Sequence, residues 1–342
     1  MADSGGHFLN LAEVAKLTPS QVLIGGIIDE APKRGSLLTE LGMRQSNGYS
    51  ISWNRSNARF TASKLAIGGD IPFTDVSTYR QLSSTLKQFA LGSYLNNFVR
   101  DIYGTVNDYE AIRTLELRTG VVETIENAFI YDNDEFDTTD IRGLHFWAET
   151  NGSDYGANTN LDAPANGALS LALIRTALDE MRYGVDFYLM PFLVARRIDA
   201  FYQEAGYVLA NRSAIGQFVW MPGAQGLPIP VWAGTPIRRS DYMRTEGADT
   251  GQGADAKTFD TGATYTIFGI KRGVGAANDP GVNIGFGGEG RGNGEVFRVD
   301  AFDKVIGKDS GAVQLVSYLS LMCGSGMGLF RIDDITDAVV VA

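Results

Sequence analysis

Few residues in this chain could carry chemistry, and spacing decides what each could do. Residues 285–290 read Gly-Phe-Gly-Gly-Glu-Gly, the GxGxxG spacing that lets a strand-to-helix turn meet a pyrophosphate. That use needs a helix N-terminus directly after the glycines. More glycines follow instead, and then Glu295 to Val299 reads as a strand. The expectation is a structural loop, with a nucleotide-binding enzyme as the remote alternative. Asp132, Asp134, Asp137 and Asp140 invite a calcium reading. Phe136 and Asp137, however, fall where a calcium loop needs a ligand and a glycine, and Gly143 falls where it needs a bidentate Glu. A solvated acidic turn is expected. Gly324-Ser325-Gly326 resembles part of a nucleophile elbow, yet Gly-x-Ser-x-Gly is not satisfied.

His7 and His145 are the only histidines and Cys323 the only cysteine. No zinc cluster and no intrachain disulfide can be built from them, and little is left for Ser/His/Asp catalysis. P-loop, HExxH and CxxC patterns are absent from the sequence. The expectation is therefore no catalytic, cofactor-binding or metal-ligating residue, no cofactor, and no enzyme.

The chain has 342 residues, enough for about two domains. It is 44% hydrophobic and 20% charged, which supports a real core and argues against global disorder. A net charge of −11 repels nucleic acid at long range and disfavours a DNA-reading role. The MADSGG start is neither basic nor apolar, unlike a signal peptide, and no apolar run approaches the ~18 residues that would span a bilayer. A soluble protein from a reducing compartment, with no membrane partner, is expected.

The elements that would position these residues are organised around Asn107 to Tyr131. Ile112, Leu115, Val122, Ile125 and Phe129 form one stripe of a helix about 37 Å long, and Asn107 with Glu110 resembles a capping box. Before it, residues 1–45 read as an arm of short helices without a core of its own. Tyr49, Ile51 and Trp53 alternate with Ser50, Ser52 and Asn54, the pattern of a half-buried strand. Thr78 to Leu91 reads as its return strand, with a helix on Leu82, Leu86 and Phe89 as the rival, and Ser93 reads as the cap of a short helix from Tyr94 to Tyr103. Two strands alone are marginal in water, so the ribbon is expected to lie on a neighbouring surface. After the long helix, helices at 171–181 and 193–205 flank a strand at 187–190, an α+β core. Strands at 265–271, 295–299, 312–322 and 328–332 close the chain; the third is nearly continuously apolar, as in a strand buried on both faces.

Several runs of residues resemble the major capsid proteins of tailed bacteriophages. Glu126-Asn127-Ala128-Phe129-Ile130-Tyr131-Asp132 followed by Gly143-Leu144 is similar to the end of that family's spine helix. Leu173 to Met190 resembles its helix into an Asp-x-x-Leu-Met strand, and Arg196-Arg197-Ile198-x-Ala200 the helix after it. Gly234-Thr235-Pro236-Ile237 with Ser240-Asp241-Tyr242, and then Ile267-Phe268-Gly269-Ile270-Lys271, resemble its next two runs.

The resemblance covers nearly the whole chain and implies an α+β, Hong Kong 97-type capsid fold. Its parts would be an N-terminal arm (1–45), an E-loop β-ribbon (46–92), a peripheral domain with the long spine helix (93–132), an axial α/β domain (133–300), and C-terminal strands returning to the peripheral domain (301–342). The assembly interface it implies comprises Tyr49, Ile51, Trp53, Arg55, Arg59, Phe60, Lys64, Ile71 and Phe73. The Lys–Asn crosslink known in the family is not carried over to Lys64. The implied function is a structural subunit of hexamers and pentamers in an icosahedral head around double-stranded DNA, which is enclosed but not read. The implied partners are copies of itself, with separate scaffolding, portal and decoration proteins. The location would be the virion, assembled in the cytoplasm of a bacterial host. An encapsulin-type cellular compartment is the alternative.

Overall fold

Residues 310–323 alternate too little for a strand with one wet face, and they form the axis of one of the two main sheets. The computed structural model describes residues 33–35, 37–46, 48–56, 62–71, 73, 79–97, 109–135, 137–152, 161–162, 167–204, 218–222, 228–249, 257–260, 262–276, 279–287, 296–305 and 307–341. In chain order these give α1 (Leu37–Glu40), β1 (Gly42–Ser46), β2 (Ser50–Ser56), β3 (Tyr79–Thr85), β4 (Lys87–Asn96), α2 (Tyr109–Tyr131) and α3 (Leu144–Gly152). Next come β5 (Leu161–Asp162), α4 (Leu171–Glu180), β6 (Phe187–Met190), α5 (Phe192–Glu204), β7 (Phe218–Pro222), β8 (Pro228–Trp232) and β9 (Thr235–Arg239). The chain continues through β10 (Glu246–Asp249), β11 (Lys257–Phe259), β12 (Thr264–Ile270), β13 (Val282–Gly287), β14 (Phe297–Phe302), β15 (Ser310–Cys323) and β16 (Leu329–Thr336).

β15 is the centre of a five-stranded sheet. One edge pairs antiparallel with β4, from Ser310↔Asn96 to Leu319↔Lys87. The other edge takes β14 opposite residues 312–317 and β13 opposite residues 319–323. β1 adds parallel to β13. Helix α2 packs on this sheet through Val121, Ile125 and Phe129, in one core cluster with Leu315, Leu319 and Leu321. The second sheet has nine strands, with β12 between β6 and β16. Helices α4 and α5 cover it through Ile174, Ala177, Val194 and Ile198.

Several expectations are corrected. Tyr94 to Asn96 continue strand β4 rather than starting a helix, because Tyr94 and Leu95 pair with Ala312 and Gly311; helical conformation begins at Asn97, and residues 98–103 of the expected helix lie outside the described residues. The return strand is two strands. β3 pairs with β2, the chain breaks at Leu86, whose N–H donates to the Tyr49 carbonyl, and β4 joins the five-stranded sheet. Gly42 to Ser46 belong to that sheet rather than to an arm. β13 and β14 sit in the sheet beneath α2, not in an axial unit ending at residue 300, and β16 sits in the nine-stranded sheet rather than returning beneath α2. Pairing partners distant in sequence decide each of these placements, and local pattern does not contain them.

The stripe expected on α2 is rotated. Leu117, Val121, Ile125, Ala128 and Phe129 are buried, whereas Ile112 and Val122 are half-buried and Leu115 is 61% exposed. Spacings of four, four and three satisfy a helix as well as the spacings read from the sequence did, so periodicity alone allowed two faces. Ile125 is fully buried between α2 and the sheet. Ile125→Ala should cost about 2–5 kcal/mol and Ile125→Pro should block folding. Chemical denaturation of the purified subunit measures the first, and recovery of soluble protein the second.

Candidate assembly surface

Strands β2 and β3 form an isolated ribbon in register Ile51↔Ser84, Trp53↔Leu82 and Arg55↔Arg80. The residues at its root do not face outward. Ile51 is 6% exposed and Arg55 5%, while Trp53 is half-buried. Trp53 packs on Trp147 of α3, with ring centroids 5.5 Å apart, and Trp147 Nε1 donates to the Leu321 carbonyl. Ser84 Oγ donates to the same carbonyl at 2.8 Å. Arg55 Nε and Nη2 donate to the carbonyls of Gly324 and Cys323 at 2.9 and 2.6 Å, satisfying the end of β15. Gly285 makes room for this docking: a Cβ there would lie 2.2 Å from Ile51 Cδ1. Ile51, Trp53 and Arg55 therefore complete their own subunit, and their expected place on a neighbour is corrected. Alternation showed correctly that one face is buried, but not which molecule buries it.

The tip is different. Lys64, Ile71 and Phe73 are exposed, Ile71 at 70% and Phe73 at 97%; Tyr49 is exposed too, but at the base of the ribbon, where its carbonyl accepts the Leu86 N–H. Leu65 and Ile67, which the sequence reading passed over, join them; Ile67 has no cover at all. Arg59 and Phe60 lie outside the described residues. Tyr49 apart, the structure thus divides the expected interface into a root that is satisfied internally and an apolar tip that is not.

Sequence reading also missed a polar cluster at the junction of α2, α3 and the nine-stranded sheet. His145 Nδ1 lies 2.7 Å from Arg331 Nη1, which can only donate. That fixes the neutral tautomer with its proton on Nε2, which faces Glu246 Oε1 at 3.2 Å. Thr266 Oγ1 donates to Glu246 Oε2, and Arg331 Nη2 donates to Asp333 Oδ2. Tyr131, the last residue of α2, stacks on His145, and its hydroxyl accepts the Arg244 N–H. Burial, and then Glu246, push the Tyr131 hydroxyl well above the usual phenol range. His145, Glu246, Arg331 and Asp333 are all at most 3% exposed. A substrate has no surface to meet there, so the cluster ties elements together.

The described residues of the other candidates have structural partners. Gly285 and Gly287 lie inside β13, residues 288–290 are outside the described set, and the next described element is a strand. Ser325 Oγ accepts the Met327 N–H as the cap of a short turn. In the acidic turn, Arg142 pairs with Asp134 at 2.8 Å and Thr139 donates twice to Asp137. Burial, and then Asp140, push Asp132 up to about 7. Among the described residues no group of three or more acidic, histidine or cysteine side chains could hold a metal.

The chain matches no protein-family model and no curated protein. Solved structures match along nearly its full length. The holo-SrpI encapsulin complex from Synechococcus elongatus aligns with a TM-score of 0.62 at 15% identity, over 98% of this chain and 98% of that one. The capsid of the native GTA particle aligns with a TM-score of 0.56 at 14% identity, over 94% and 97%. Microbacterium phage Oxtober96 aligns with a TM-score of 0.54 at 12% identity, over 94% and 98%. What is shared at these identities is the fold. The chain has the Hong Kong 97-type fold common to phage capsids and an encapsulin shell.

Two measurements check this geometry. Gly285→Val should lower the melting temperature of the isolated subunit by displacing Ile51 and the ribbon root. Asp132 holds its proton more tightly in the folded chain than in the unfolded one, where its pKa is ~3.9. Its contribution to stability is therefore greatest at low pH, falls as pH rises toward about 7, and is flat above. Asp132→Asn should flatten that slope and stabilise the subunit at pH 8 but not at pH 4. Denaturation across that range reads the effect.

Proposed function

We propose that this chain is the repeating subunit of a closed shell: a major capsid protein whose hexamers and pentamers build an icosahedral head around double-stranded DNA. The observation that carries the reading is the ribbon tip. Leu65, Ile67, Ile71 and Phe73 are exposed on a projection whose root is fixed to its own subunit. An apolar projection in water is an association site, and a ring of identical copies covers every tip at once. Many such modest contacts multiply once capsomers are linked. The net charge of −11 suits a wall that confines DNA without gripping it. On this reading the protein resides in the virion after assembly in the cytoplasm of a bacterial host, with scaffolding, portal and decoration as separate chains.

A second reading, an encapsulin-type compartment, is favoured by the SrpI match, which spans 98% of both chains. The contents of purified particles separate the two. Nuclease-protected DNA supports the capsid, and a co-purifying protein cargo without DNA supports the compartment. Monomers under all assembly conditions would sink both. Ile67→Asp with Phe73→Asp should leave the melting temperature of the subunit unchanged and abolish closed particles in negative-stain images. Particles of normal size from this variant would remove the tip from assembly.

A further inference from the structure

Strand β9 ends on an arginine that has aromatic neighbours and no acceptor. Arg239 pairs in register with Met190 of β6, and the N–H of Ser240 donates to the Met190 carbonyl, so the backbone here is fixed. The side chain meets two rings from other elements. Its Cζ lies 5.0 Å from the ring centroid of Phe192, the first residue of α5, and 5.4 Å from that of Trp220 on β7. Trp220 is itself held, because its Nε1 donates to Asp199 Oδ1 of α5 at 3.3 Å. Ring faces attract the charge of a guanidinium, but they give its five N–H groups no lone pair. Among the described residues the Arg239 guanidinium makes no hydrogen bond and no ion pair. Its neighbour on β9, Arg238, is paired with Glu40 at 2.6 Å.

Arg34 brings a second guanidinium to the same place. The Asp241 N–H donates to the Arg34 carbonyl, and the Arg34 N–H donates to Asp241 Oδ2, both at 3.0 Å. Arg34 is therefore tied to the residue two positions after Arg239. It is exposed, and its side chain also lacks an ion pair among the described residues. Partial burial, and then the Arg34 charge, hold the Arg239 guanidinium below the usual arginine range, with Asp199 acting in the opposite direction. The two nearby carboxylates do not neutralise the pair. Asp199 accepts from Trp220 and Asp241 from the Arg34 backbone, and neither forms an ion pair with Arg34 or Arg239.

We propose that Arg34 and Arg239 form a binding site for one dianionic phosphate group, which accepts N–H groups from both guanidiniums beside the Phe192 and Trp220 rings. A guanidinium fork matches phosphate oxygens, and a charge of about −1.5 to −2 near pH 7 suits two arginines better than the single charge of a carboxylate or a phosphodiester. The rings hold Arg239 in place beforehand, so less freedom is lost on binding. Free phosphate and the terminal phosphate of a nucleotide present the same chemistry. Trp220 separates them: its ring is 42% exposed, and a base can stack on it. The inference does not depend on shell formation, because the site lies within one subunit.

The test uses the purified full chain, titrated with inorganic phosphate in chloride at constant ionic strength. Trp220 emission, read as the difference between wild type and Trp220→Phe, should change saturably in the millimolar range, and phosphate should raise the melting temperature. Arg34→Gln and Arg239→Gln should each weaken phosphate binding about five- to tenfold. Arg34→Gln, at an exposed position, should melt as wild type does without phosphate, so a loss of binding in that variant is not a loss of fold. Thymidine 5′-monophosphate is the second arm. Binding at least about tenfold tighter than phosphate, with the gain lost in Trp220→Ala, assigns the site to a nucleotide; equal affinities assign it to free phosphate. Acetate binding as tightly as phosphate would overturn the proposal and give the arginines to a carboxylate. An oligothymidylate without terminal phosphate that binds more tightly than phosphate, and is lost in both arginine variants, would overturn it in favour of a DNA backbone. No saturable response to phosphate, or one unchanged in both variants, would overturn it outright.

Discussion

The structure depends on one constraint, the full occupation of β15. Its fourteen residues give one edge to β4 and the other to β13 and β14 in succession. One face meets α2, and the carbonyls at its C-terminal end hold Trp147, Ser84 and Arg55. A slip of one residue would turn each of its side chains to the opposite face and move each carbonyl away from its donor. The register of β15 thus sets the position of the spine helix, the ribbon root and α3 together. The ribbon can project only because its root is fixed in this way.

The junction of the two sheets follows a different principle. His145, Glu246, Arg331 and Asp333 are ionisable or polar groups with almost no water, on α3, β10 and β16. Buried ion pairs contribute little net stability against apolar residues of the same volume, but losing one partner strands a charge, at about 3–5 kcal/mol. Such a cluster specifies one arrangement more than it strengthens it. Tyr131 brings the end of α2 into the same cluster, so the direction of the helix and the placement of the sheet are fixed by common partners.

The sequence made some of this legible. The long helix at Tyr109–Tyr131, the strand at Ser50–Ser56, the buried character of 310–323 and the helix–strand–helix order around Phe187–Met190 were all readable, because each rests on local periodicity. Sheet membership was not: β13, β14 and β16 have short patterns that fit either sheet, and only distant partners assign them. The side of α2 facing the core was also hidden, since two apolar stripes run along the same helix. The polar junction escaped for a related reason. His145 lies 186 residues from Arg331, and isolated polar residues in separate elements leave no spacing to detect. A lone histidine just after the end of the spine helix, inside the apolar run around Phe146 and Trp147, was the available signal.

The division between ribbon root and tip joins fold to function. A projection that packs apolar groups along its whole length on its own subunit would leave nothing for a neighbour, and one with no internal anchor would be a mobile peptide whose ordering opposes association. Here Trp53, Ile51 and Arg55 bear the cost of ordering within the monomer, while Ile67 and Phe73 remain in water. On the proposed reading, pre-ordering would let a small apolar area drive association. On the proposed shell reading, the small area would also keep each contact weak enough to be broken and remade during closure, so that misplaced subunits could leave before linked capsomers held them.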